Sequence, residues 1–163
     1  MPGLRATAAY LYDDQVYTDY EERLSGSATL FDRSGNKIPG VSPNELTARL
    51  SYDEPEGDLK GLGAFVEYQL HQGFFMENAN LLQAPGYGVV DVNLHYTKDL
   101  PVGLLRSYTA YFEVRNLLDG TYVSAANNIA DSVGATPASL ANVSGSIYTG
   151  APRTYFGGIK VRF

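Results

Sequence analysis

Six stretches of this chain alternate apolar and polar residues with a period of two, and nowhere do the ~20 successive apolar residues of a spanning helix occur. That pattern restricts the fold to strands whose two faces meet different environments. In the first stretch Leu4, Ala6, Ala8, Tyr10 and Tyr12 share one face, and Arg5, Thr7, Ala9, Leu11 and Asp13 the other. The second sets Leu46, Ala48, Leu50 and Tyr52 against Thr47, Arg49, Ser51 and Asp53. In the third, Leu62, Ala64, Val66, Tyr68 and Leu70 oppose Gly63, Phe65, Glu67, Gln69 and His71. Val90, Val92, Leu94 and Tyr96 oppose Asp91, Asn93 and His95 in the fourth, and Tyr108, Ala110, Phe112 and Val114 oppose Thr109, Tyr111, Glu113 and Arg115 in the fifth. The last sets Tyr155, Gly157, Ile159, Val161 and Phe163 against Thr154, Phe156, Gly158, Lys160 and Arg162. Thirteen Tyr, 17 Gly and only 18% charged residues fit strands and tight turns better than helices.

The connections alternate as well. Glu54 to Asp58 and Lys98 to Gly103 are short and rich in turn formers, whereas the links from about Asp14 to Pro43, Gln72 to Pro85 and Leu118 to Thr149 are long. Transmembrane β-barrels are built this way, with long loops outside and short turns on the periplasmic side. Tyr10, Tyr12, Tyr68 and Tyr155 then fall toward the outer end of the apolar face, and Tyr52, Tyr96, Tyr108 and Phe163 toward the inner end, as two interfacial aromatic girdles. The competing reading is a soluble sandwich or lipocalin-like barrel, which would pack the apolar face inside. Six strands fall short of the about eight in the smallest membrane barrels, and an open edge in lipid is costly, so the expectation is a segment of a larger barrel.

A net charge of -6 with no basic run argues against a nucleic-acid partner, and the absence of Cys excludes disulfides and thiolate metal sites. The first residues lack the pattern of a signal peptide. His71 and His95 both sit on polar faces, but pairing of the third and fourth strands sets them roughly 25 Å apart, too far to share a metal or a proton. A barrel enzyme would need a nucleophile and base clustered at one level, and His71 is the one histidine near the outer rim. No catalytic, metal or cofactor residue is therefore assigned. The inward set Arg5, Arg49, Glu67, Asp91, Glu113, Arg115, Lys160 and Arg162 mixes both signs and reads as a hydrated wall rather than a funnel for an anion.

More specific features lie near the end. Val114-Arg115-Asn116-Leu117-Leu118-Asp119-Gly120-Thr121-Tyr122-Val123 resembles the N-L-F-D-x-x-Y signature of TonB-dependent receptors, with Leu118 in place of the usual Phe. Gly150, Pro152 and Arg153 resemble the G-x-P-R that opens the family's last strand, and Phe163 its terminal aromatic. Gly35-Asn36-Lys37-Ile38-Pro39-Gly40 with Pro43, and Pro85-Gly86-Tyr87, are similar to further family stretches in the same order.

The resemblance implies an all-β, antiparallel transmembrane segment of about six strands from a barrel of about 22, with residues 1–163 as its C-terminal portion and the plug domain and earlier strands absent. It implies an outer-membrane transporter, not an enzyme, that takes up a ferric siderophore or similar iron chelate, energised by the TonB complex through the plug. Outer-membrane lipid and the barrel-assembly machinery would be its other partners, the latter reading Tyr155, Ile159, Val161 and Phe163. Phe31, Phe74, Phe75, Tyr122 and Tyr148 are candidate ligand contacts, since aromatics with a few polar groups suit chelate recognition. The alternative is a small self-assembling outer-membrane barrel with a pore or structural role; a reading frame continuing upstream into a plug would separate the two.

Overall fold

The alternating stretches pair in sequence order into one open, antiparallel sheet. The computed structural model describes residues 2–23, 28–100, 104–128 and 145–163. Its strands are β1 (Leu4–Tyr12), β2 (Glu21–Arg23), β3 (Leu30–Asp32), β4 (Asn44–Asp53), β5 (Leu62–His71), β6 (Phe74–Phe75), β7 (Gln83–Ala84), β8 (Tyr87–Asp99), β9 (Ser107–Arg115), β10 (Val123–Asn128), β11 (Gly145–Thr149) and β12 (Thr154–Arg162). The six long strands form the sheet in the order β1-β4-β5-β8-β9-β12, an up-and-down meander. All three long connections therefore leave from one end, and the short β4–β5 and β8–β9 turns lie at the other.

A single register runs across the sheet. Ala6, Leu50, Val66, Val92, Val114 and Tyr155 are successive cross-strand neighbours, one apolar row over all six strands. On the opposite face Arg5, Ser51, Phe65, Asn93, Glu113 and Phe156 form the matching row. A one-residue slip at any ladder would turn that strand's whole apolar set to the other face, so the alternation excludes odd shifts of this pairing. At the β4–β5 turn the chain passes close beneath β8. A Cβ at Gly61, whose φ is +88°, would stand 1.9 Å from the Thr97 carbonyl oxygen, and the Thr97 N–H donates to the Gly61 carbonyl at 2.8 Å.

Among the described residues, most of the apolar face has nothing packed over it. Leu50, Val66, Leu94, Phe112 and Val161 are all exposed and Ile159 is 73% exposed, while Ala84, Val89 and Val114 are the buried hydrophobics among the described residues. A soluble sandwich would bury this face against a second layer, and the described residues supply none. Exposing so large an apolar surface to water is unfavourable at about 25 cal/mol per Å², which lipid removes.

Two details depart from the sequence reading. Each long connection contains a short hairpin, β2–β3, β6–β7 or β10–β11. The β2–β3 and β6–β7 ladders, of three and two residue pairs, are too brief to show a period. β8 also runs past the alternating stretch at both ends, to Tyr87 and Asp99. Pro101, Val102 and Gly103 of the second short turn lie outside the described residues.

Candidate functional site

Toward the middle of the polar face two arginines are each closed against a glutamate. Glu67 accepts from Arg49 Nε at 2.7 Å, and the Arg49 guanidinium lies 4.1 Å above the Phe65 ring. Arg115 repeats the arrangement, donating to Glu113 at 2.7 Å with its guanidinium 4.7 Å from the Phe156 ring. The remaining carboxylate oxygens take Gln69 Nε2 at 2.8 Å and Asn93 Nδ2 at 3.3 Å. Asp91 accepts from the Asn116 backbone N–H at 2.9 Å. Arg49, Phe65, Glu67, Asp91, Glu113 and Arg115, with Val89, Tyr122 and Ala151, line a cleft of about 410 Å³. The Arg49 and Arg115 guanidinium groups are each held by a carboxylate and a ring together.

The histidines lie at opposite ends of this face. His71 Nδ1 is 3.4 Å from Glu45 Oε1, and its ring stacks on Tyr87, which stacks in turn on Tyr122. His95 Nε2 is 2.9 Å from Asp53 Oδ1, and His95 pairs across strands with Gly63, eight residues from His71 along β5. That spacing is about 26 Å at ~3.3 Å per residue, as the alternation implied.

Above the sheet, the first two outer connections are stitched into one body by two asparagines. Asn78 accepts from the Tyr17 hydroxyl at 2.9 Å and donates to Glu22 at 2.7 Å. Asn80, at φ +57°, accepts from the Lys37 N–H at 2.6 Å and donates to the Lys37 carbonyl at 2.9 Å, completing a pair like those of a strand ladder. Glu22 is buried and ion-paired with buried Arg33 at 3.0 Å. Burial, followed by the nearby Tyr20 and Glu22, raises the Tyr17 phenol above its ordinary value and keeps it a donor to Asn78. Hydrogen bonding from Lys37 lowers the Asp14 carboxyl. None of Asn78, Asn80, Glu22 or Arg33 is distinguished in the sequence by period or spacing. The tolerance of asparagine for positive φ is the one available signal.

The motif residues converge at the root of the third outer connection. Asn116, 4% exposed and at φ +50°, donates from Nδ2 to the Gly120 and Ala151 carbonyls at 2.8 and 3.1 Å and accepts from the Gly120 N–H at 3.0 Å. Asp119 accepts from the Arg153 N–H at 3.0 Å and faces its guanidinium at 3.7 Å. Leu117 donates to the Val90 carbonyl, and Gly150 to the Tyr122 carbonyl, both at 2.8 Å. The Tyr122 ring presses on Gly150, where any Cβ would stand 2.0 Å from it. Pro152 sits between Ala151, the acceptor, and Arg153, the donor.

The candidate ligand aromatics do not form one cluster. Phe31 lies on β3 beneath the Arg33 guanidinium, at 5.3 Å. Phe74 and Phe75 share a small cavity with Lys37, Val41 and Pro43. Tyr122 borders the polar-face cleft, and Tyr148 is exposed on β11. Tyr155, Ile159, Val161 and Phe163 all stand exposed along the apolar face at the end of the chain.

An antiparallel meander with an outward apolar face, a polar inner face and all long loops at one end is a wall segment of a transmembrane β-barrel. Residues 3–117 match the family described as TonB dependent receptor-like, beta-barrel, and the chain belongs to that family. The ferrioxamine B receptors of Salmonella typhimurium strains SL1344 and LT2 are each 30% identical to it over 129 residues, 78% of this chain. The chain spans 16% of the length of those receptors. Among solved structures, BauA, the ferric preacinetobactin receptor from Acinetobacter baumannii, has the same fold, with a TM-score of 0.66 at 19% identity. That similarity covers 99% of this chain and 20% of BauA.

Proposed function

We propose that the protein to which this stretch belongs is an outer-membrane, TonB-dependent receptor that imports a ferric siderophore or similar iron chelate. This chain would supply the last strands of its barrel and three of its outer loops, with the plug that couples to the TonB complex elsewhere in the polypeptide. The observation that carries the reading is family membership combined with a sheet whose apolar face is largely exposed. Support for the substrate class comes from relatives named as receptors for ferrioxamine B and ferric preacinetobactin. Within the chain, Tyr122 is the candidate aromatic closest to the path a solute would take, because it borders the polar-face cleft. The role is transport and not catalysis.

The test uses the full-length receptor gene in a Gram-negative host lacking its own siderophore receptors. Iron-starved cells carrying the gene should accumulate radioiron from at least one of a panel of hydroxamate, catecholate and mixed chelates, and deletion of tonB should abolish that uptake. Equal accumulation with and without the gene, or uptake indifferent to TonB, would sink the proposal.

A further inference from the structure

Strands β9 and β12 pair from Arg115↔Thr154 to Ser107↔Arg162, yet 38 residues, 116 through 153, separate them in the chain. In a hairpin the register is ordinarily set by the type and length of the turn; here no short turn joins the strands, and the β10–β11 ladder within the connection reaches the main sheet only through residues 116–122 and 150–153. Nor do the strands settle it alone. A two-residue slip would leave Tyr155, Gly157, Ile159 and Val161 on the apolar face, and the Gly157-Gly158 pair removes two side chains that would otherwise discriminate.

What adjoins the ladder is the motif. Asn116 follows the last residue of β9 directly, and Ala151, Pro152 and Arg153 directly precede the first residue of β12. Between them run the Asn116–Ala151 hydrogen bond, the Asp119–Arg153 hydrogen bond and ion pair, and the Gly150–Tyr122 hydrogen bond with the tyrosine ring packed on the glycine. Each joins a residue on the β9 side to one on the β12 side, so the two chain segments leave the clasp already level with each other. We propose that the paired motif Asn116-x-x-Asp119-x-x-Tyr122 and Gly150-Ala151-Pro152-Arg153 is the register lock of the terminal strand. It gives a 38-residue connection the alignment that a two-residue turn gives a hairpin. Residues 123–149 can then vary in sequence and length without disturbing how β12 pairs.

Disulfide trapping in the full-length receptor tests this, and the absence of cysteine from this chain keeps introduced pairs unambiguous within it. The pair A110C/I159C reports the native register, and A110C/G157C and A110C/V161C report slips of two residues in either direction. The parent should cross-link at the native pair alone. Asn116→Gly with Asp119→Gly removes the side-chain bonds while accommodating both positive φ angles, +50° and +55°. Cross-linking at the slipped pairs should then rise several-fold. In a second receptor, residues 116–153 are replaced by Asn-Gly, whose type I′ turn aligns its flanking residues. That receptor should recover the native pair without the motif, and it decides the matter if the double variant fails to assemble. Slipped pairs held at the parental level in an assembled double variant overturn the lock, as does failure of the short-turn receptor to give the native pair.

Discussion

Asn116, Asp119 and Asn80 hold the positive φ angles among the described non-glycine residues, and each lies where an outer connection is fastened. Asparagine and aspartate tolerate that conformation because their short side chains bond the local backbone. In the sequence, Asn116 and Asp119 stood out through family resemblance, but their partners Ala151 and Arg153 lie some 35 residues on and no spacing rule joins them. Phe163 presents a different case. It is 75% exposed at the end of the apolar row, where it suits both the inner aromatic girdle and recognition of the strand by the assembly machinery. Phe163→Asp in the full-length receptor is expected to slow assembly and leave periplasmic, protease-sensitive material in a pulse-chase experiment. Normal assembly kinetics with only a lower melting temperature would confine Phe163 to the girdle.

For the elements, alternation proved sufficient to identify the long strands, because a strand between lipid and a polar interior has the sharpest contrast between its faces. The small hairpins of the outer loops left no such trace; β2–β3 is fastened by the Glu22–Arg33 ion pair and by the Glu22–Asn78 bond, which crosses 56 residues. The face assignment makes a quantitative forecast. Val92 stands between Val66 and Val114 in the apolar row, so Val92→Arg should destabilise the assembled receptor by about 2–4 kcal/mol if the row lies near the bilayer midplane. The next residue, Asn93, points to the other face and hydrogen-bonds Glu113, where an arginine meets a carboxylate, so Asn93→Arg should be milder. Denaturant titration of both variants in lipid checks this, and equal losses would mean that the faces are misassigned.

On the scale of the molecule, the meander places every long connection at one end, which in a barrel of this family is the cell surface. Protease added to intact cells bearing the full-length receptor should cut within 14–43 or 118–149 and spare the turns at Pro55 and Pro101. Cutting confined to those turns would invert the orientation. The sequence by itself determined the strand class, the two faces and the long-short asymmetry of the connections, since a period of two and a turn composition are local properties of the chain. It also indicated that His71 and His95 are distant, because they fall at opposite ends of an antiparallel pair and a slip of two residues would not bring them together. Tertiary structure alone decided that the first two outer connections share one body through Asn78 and Asn80, and that the ligand-loop aromatics are dispersed. It alone showed that the motif fastens the last strand to its neighbour. These features depend on contacts between residues far apart in the chain, whose geometry is fixed only once the strands that carry them have paired.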